Sequence, residues 1–170
     1  PATFPGRSAA EDTYGENVEW FIESGVDVIL FETMGHLDEI DVALESAKNE
    51  KIWLSLIVKD GDHLLSGNPL KSAIELAKNK VDVLMLNCNT INATNHALKN
   101  LTQNWASKWG LYPNLGLNEP EPDGKMDEKV DDLSFGKTIK KYLELEPMVI
   151  GACCGSNPKH TDIIYKLINQ

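Results

Sequence analysis

Three cysteines are the residues of this chain best suited to chemistry: Cys88, and the adjacent pair Cys153 and Cys154. Their number is odd, and a disulfide framework calls for more of them, evenly paired. As thiolates they would form a soft, anionic donor set that binds zinc tightly and leaves one tetrahedral position open. An open position distinguishes a catalytic zinc from a structural one. A substrate thiol bound there loses its proton and becomes a nucleophile at neutral pH. Spacing alone leaves two other readings. One is buried cysteines acting as small hydrophobes; the other is a vicinal disulfide, which adjacent cysteines form only with strain. None of the four histidines, His36, His63, His96 and His160, has ligand-like spacing to the thiols.

The elements around the thiols supply a way to gather them. Five apolar runs, Val26–Phe31, Ile52–Val58, Val81–Leu86, Trp109–Tyr112 and Met148–Ile150, are rich in β-branched and aromatic residues. Near-continuous apolarity predicts parallel strands covered on both faces. Each run is followed by a helical stripe: Leu37, Ile40, Leu44 and Ala47; Leu70, Ala73, Ile74 and Ala77; Ala97, Leu98, Leu101 and Trp105; Phe135, Ile139, Tyr142 and Leu143. The last helix starts with Asn157 as cap and Pro158 in its first turn, with Ile163, Ile164, Leu167 and Ile168 following. A further helix precedes the first strand, with Tyr14, Val18, Phe21 and Ile22 on its expected buried face and Gly25 ending it.

The pattern reads α(βα)₅ over residues 1–170, with no composition break, and predicts one domain. All three cysteines fall at carboxyl ends of expected strands, the edge where parallel α/β folds build their sites. Periodicity leaves two architectures open: an open doubly wound sheet, and part of an eight-stranded barrel. No Gly-x-Gly-x-x-Gly follows the first strand to favour a dinucleotide fold. The acidic, turn-rich stretch from Asn114 to Asp132 reads as a loop after the fourth strand.

Charge and composition narrow the partners. The formal net charge is −10, with lysines scattered among the acids, which argues against nucleic acid or an anionic bilayer. No apolar run is long enough to span a membrane. The opening Pro1-Ala-Thr-Phe-Pro-Gly-Arg has neither the basic flank nor the apolar stretch of a signal peptide. Asn92-Ala-Thr94 and Asn100-Leu-Thr102 therefore read as chance matches to the glycosylation triplet. Reduced thiols fit a cytoplasmic protein.

The residues around the thiols carry a resemblance. Val149-Ile-Gly-Ala-Cys-Cys-Gly-Ser-Asn-Pro158 resembles the Gly-Gly-Cys-Cys-Gly-Thr-x-Pro signature of the homocysteine S-methyltransferase family, and Leu86-Asn-Cys88 its Asn-Cys element. Phe31-Glu-Thr-Met34 is similar to the family's Glu-Thr; Ile57-Val-Lys-Asp-Gly61, Leu65-Ser-Gly67 and Tyr112-Pro-Asn114 match later strand ends in order. The family also includes betaine–homocysteine methyltransferase and the N-terminal module of cobalamin-dependent methionine synthase. The resemblance implies a (β/α)₈ TIM barrel of which these five strands are the fourth to eighth. The first three, ~120 residues at typical βα length, are expected outside this sequence.

The resemblance further implies an enzyme that transfers a methyl group to the thiolate of homocysteine, giving methionine. Zn²⁺ would sit on Cys88, Cys153 and Cys154. Glu32 would hold the substrate's amino group, a carboxylate suiting an ammonium; as a residue it could equally cap a helix or face solvent. Asn87 either positions the cysteine loop or bonds substrate, with turn duty as the alternative. Tyr112 and Asn114 share that edge, Tyr112 serving as substrate wall or as core. Ser55 alternates inward and reads as barrel filling. Gly151 and Gly155 suit close backbone approach. Asp60, Gly61, Ser66 and Gly67 read as loop formers. The expected partners are homocysteine and a small methyl donor, with the rest of the barrel or a second copy against the open sheet. A truncated, non-catalytic barrel that binds zinc or a partner only is the alternative.

Overall fold

Five parallel strands form a single sheet in the order β1-β2-β3-β4-β5. A computed structural model of the chain describes residues 4–118, 126 and 128–169. Its elements run α1 (Arg7–Glu23), β1 (Ile29–Met34), α2 (Leu37–Ser46), β2 (Ile52–Leu56), α3 (Leu70–Ala77) and β3 (Val83–Asn87). They continue with α4 (Ile91–Asn104), β4 (Trp109–Tyr112), α5 (Asp132–Leu143), β5 (Val149–Ile150) and α6 (Pro158–Ile168). The expected α(βα)₅ pattern is present.

Strand order decides between the two architectures. A doubly wound sheet reverses direction at a switch point, whereas here each strand pairs with the next in sequence. Consecutive helices also pack on their neighbours, α1 on α2, α2 on α3, α3 on α4 and α5 on α6. Right-handed crossovers that all advance the same way give the arc of a TIM barrel, incomplete in this chain.

One face of the arc lies under the helices. Phe31, Leu54, Leu84, Leu86 and Leu111 meet Ile40, Leu44, Ile74, Leu101, Phe135 and Ile139 in one buried cluster. Cross-strand partners share a face, so the register identifies the opposite side. Leu30 pairs with Trp53, Ser55 with Met85, and Asn87 with Tyr112. Glu32, Ser55, Asn87 and Tyr112 therefore all point away from the helices, to the side that is the lumen in a closed barrel.

The first helix departs from its expected face. Val18 is buried and Tyr14 half-buried, but Phe21 and Ile22 are 46% and 48% exposed. Tyr14 reaches Glu39 on α2 and packs edge-on against Phe31, which sets the helix's rotation. Phe21 and Ile22 then lie beyond the cover of β1, the edge strand. Val26, expected to open that strand, is exposed outside it, as is Leu30 within it. The helix does end as expected. Gly25 at φ 72 closes it, its N–H on Ile22 O and the Val26 N–H on Phe21 O, the paired bonds of a Schellman motif.

The acidic loop after β4 falls partly outside the described residues, which omit 119–125 and 127. Its described ends run antiparallel: Leu117 N–H bonds Glu128 O, and Val130 N–H bonds Leu115 O. No helix of the described chain is long and apolar enough to cross a membrane.

Candidate metal centre and substrate face

Two strand ends bring the three thiols together. β3 ends at Asn87, and Cys88 follows in the left-handed region at φ 54, its N–H on Tyr112 O. β5 ends at Ile150, and Gly151-Ala152 lead to Cys153, whose N–H bonds Pro113 O. Leu115 N–H bonds Cys154 O, and the Ser156 hydroxyl donates to Cys153 O at 2.6 Å. Gly155 sits at φ 80, and a Cβ there would lie 3.0 Å from Met126 Sδ. That turn therefore needs glycine.

The result is a cluster. Cys88 Sγ lies 3.5 Å from Cys154 Sγ, and Cys153 Sγ 3.9 Å from Cys154 Sγ. All three fall within 4.8 Å of one another, with Cys154 exposed and the other two half-buried. No disulfide joins them, and no His, Asp or Glu among the described residues completes the group. The buried-hydrophobe reading does not fit thiols that converge at an accessible strand end.

The electrostatics suit a cation. A hydrogen bond from Cys88 pushes the Cys153 thiol down to about 6, burial opposing it. The same contact with Cys153, together with burial, drives Cys88 well above the ordinary thiol range. Without a counter-charge Cys88 and Cys153 do not both ionise, because like charges this close oppose each other. A metal ion between them would remove that conflict, so the donor set fits one.

A polar network lies beside the thiols. The Tyr112 hydroxyl stands 2.9 Å from both Glu32 Oε1 and Ser55 Oγ, and its single proton serves one of them. Ser55 Oγ donates to Asn87 Oδ1 at 2.7 Å and accepts from Thr33 N–H at 3.2 Å. The Asn87 amide donates to Thr33 Oγ1 at 2.7 Å. Thr33 itself takes φ 61, at the register break between Phe31 and Met34 on β1. A β-branched residue there is rare, and such strain concentrates at functional sites. Burial, with Glu32 as hydrogen-bond partner, raises the Tyr112 pKa although Ser55 acts to lower it.

The four expected substrate residues separate into two groups. Glu32, Asn87 and Tyr112 belong to one network and face the open side. Asn114 lies outside that network, its amide donating to Cys88 O at 3.0 Å while its Oδ1 accepts the Gly116 N–H. It ties the Cys88 backbone to the segment that follows β4. Two members were not expected from the sequence. Ser55, read as filling, is the fully buried hub of the network. Thr33 was visible only as part of the Glu-Thr pair. Asn89, next to Cys88, is buried and ties β2 to this edge by accepting the Val58 N–H at 2.8 Å.

A five-stranded parallel arc with a three-thiol cluster at its carboxyl edge defines an incomplete TIM barrel of the thiol-site class. The family model for homocysteine S-methyltransferase matches residues 4–168, and the chain belongs to that family. It is 24% identical over 94% of its length to the selenocysteine methyltransferase of Astragalus bisulcatus, covering 50% of that protein. It is 29% identical over 83% of its length to the homocysteine S-methyltransferase of Escherichia coli (strain K12), covering 47% of it. The fold matches the apo homocysteine methyltransferase MmuM of Escherichia coli at TM-score 0.79 and 21% identity, over 98% of this chain and 59% of that one. Its metallated form matches at TM-score 0.78 and 21% identity, over 96% and 53%. The chain spans about half the length of the curated relatives it matches.

Proposed function

We propose that this chain is the C-terminal portion of a homocysteine-binding barrel that methylates homocysteine to methionine, with zinc held by Cys88, Cys153 and Cys154. The observation that carries the reading is the convergence of three thiols from two strand ends. Tetrahedral zinc at ~2.3 Å from each sulfur separates its ligands by roughly 3.8 Å, close to the 3.5 and 3.9 Å here. When bound, zinc would supply the charge that keeps a substrate thiol ionised at neutral pH.

The chain's own residues do the rest. Glu32 accepts the substrate ammonium on the face shared with the thiols. Tyr112 holds that carboxylate in place by donating its hydroxyl proton, and Asn87 ties the neighbouring Ser55 to the strand that leads into Cys88. Positioning of sulfur against the donor's methyl carbon supplies much of the rate. The new S–CH₃ bond forms as the donor's heteroatom leaves with its electron pair.

Zinc analysis of the reduced chain tests the metal: about one ion per chain is expected, with loss in Cys154→Ser. Reduced, intact thiols that take up no zinc would overturn the reading.

The exposed edge residues Leu30 and Met148 favour a second reading, a part-barrel that binds zinc or a partner without turnover. Three further βα units would cover both edges. Methyl transfer by these 170 residues, measured beside a protein carrying three additional units upstream, separates the two: turnover by either protein supports the first, and zinc binding without turnover in both supports the second.

A further inference from the structure

The thiol turn has an anchor that the cluster itself does not reveal. His160 is only 5% exposed, in the first turn of α6. Its Nδ1 stands 3.1 Å from the backbone N of Asn157, while the Asn157 side chain accepts the Lys159 N–H. This is a capping box with histidine in the place usually taken by Glu or Gln. A backbone N–H can only donate, so Nδ1 must be the unprotonated nitrogen. The proton is then on Nε2, 3.4 Å from Asp132 Oδ1. Asp132 is the first residue of α5 and also pairs with Lys159. Phe135, one turn on, packs edge-to-face on the imidazole at 5.0 Å.

These contacts join the two segments that hold the thiols. The segment between β4 and α5 carries Pro113, Asn114 and Leu115, which bond Cys153, Cys88 and Cys154 respectively. The turn between β5 and α6 carries Cys153 and Cys154 and ends at Asn157. Asp132 lies at the far end of the first segment and Asn157 at the far end of the second. His160 bridges them.

We propose that His160 is a positioning residue for the three-thiol cluster: neutral and protonated on Nε2, it fixes the Cys153–Asn157 turn through Asn157 N–H and couples it to the α5 entry through Asp132. This rests on the metal reading above for its purpose, but not for its geometry.

The test uses the whole chain, reduced, with Co²⁺ as probe, and three variants: His160→Leu, His160→Gln and Asp132→Ala. Glutamine is a natural capping-box partner and keeps the bond to Asn157 N–H. His160→Leu is expected to bind Co²⁺ roughly tenfold more weakly, with altered visible bands, as for loss of a group that supports metal ligands. His160→Gln recovers most of that affinity, and Asp132→Ala falls between. Amide exchange at Cys153–Asn157 should speed up in His160→Leu by about the same factor, and ¹⁵N shifts should report the Nε2–H tautomer in the parent chain. If His160→Leu does not fold, His160→Gln and Asp132→Ala decide by the same readouts. Wild-type Co²⁺ affinity and exchange in His160→Leu, or an Nδ1–H tautomer in the parent, overturns the proposal. A parent chain that takes no Co²⁺ sinks the metal reading instead, and the exchange and tautomer results still decide this one.

Discussion

The Tyr112 hydroxyl lies 2.9 Å from Glu32 Oε1 although the two residues are 80 positions apart, on strands β4 and β1. β2 and β3 stand between those strands, so the bond crosses the open face of the arc. It restrains an exposed carboxylate whose side chain would otherwise sample several rotamers. On the proposed function, Tyr112→Phe in the protein extended by three upstream units should raise the KM for homocysteine roughly three- to tenfold, as loss of one hydrogen bond to a charged group implies. kcat should change little, because the contact serves ground state and transition state alike. Steady-state kinetics check this; a fall in kcat at constant KM would count against it.

Ser55 carries more of the network than its size suggests. Its oxygen serves Thr33 N–H and Asn87 Oδ1 and stands within reach of Tyr112, at 0% exposure. Alanine leaves those groups buried with partners missing, at a cost of about 1–3 kcal/mol. Urea unfolding of Ser55→Ala should show a lower midpoint at unchanged slope. An unchanged midpoint would mean that water replaces the hydroxyl.

Part of this site was readable from residue order. Cys88 and Cys153–Cys154 each follow a short β-branched run, and strand ends of one parallel sheet share an edge, so the convergence was foreseeable. Ser55 was not, because its role depends on register. Only when β2 and β3 align Ser55 with Met85 does Asn87 come within reach. Thr33 is similar: nothing in its type signals a left-handed backbone. Phe21 and Ile22 fall on the helical stripe with Val18, but a stripe says nothing of where the sheet stops. His160 has no ligand-like spacing to the thiols, and its capping bond appears only in the folded turn.

Three tyrosines make stability fall in alkali. Burial raises the pKa of Tyr14, Tyr112 and Tyr142 above the ordinary value near 10, helped at Tyr14 by Glu39. A pKa raised on folding means that the folded state holds its proton more firmly than the unfolded chain. The corresponding stability is complete below pH ~10 and is lost as pH rises toward the folded values. Urea midpoints measured from pH 8 to pH 11.5 should be flat at first and then decline. Tyr142→Phe should lessen the decline, since its shift comes from burial alone; an unaltered decline in that variant would assign the effect elsewhere.

Gly110 connects the sheet to the thiols. A Cβ built on it would lie 2.6 Å from Val149 Cβ and 2.7 Å from Val149 O, with backbone on both sides of the contact. No flexible side chain can move aside, so alanine forces β5 away from β4. β5 pairs with β4 through Gly110–Val149 and Leu111–Ile150, and the turn bearing Cys153 and Cys154 hangs from its end. Gly110→Ala should therefore cost about 1–3 kcal/mol, as overpacking does, and weaken metal binding beyond what that loss of stability explains. Gly15→Ala is the matched control: it lies in α1 with nothing within 4 Å of the new Cβ. There alanine should stabilise by roughly 0.5–1 kcal/mol and leave the metal site untouched. Thermal melts and Co²⁺ titrations of the two variants side by side check both, and equal metal affinities would show that the β4–β5 pairing does not set the thiol geometry.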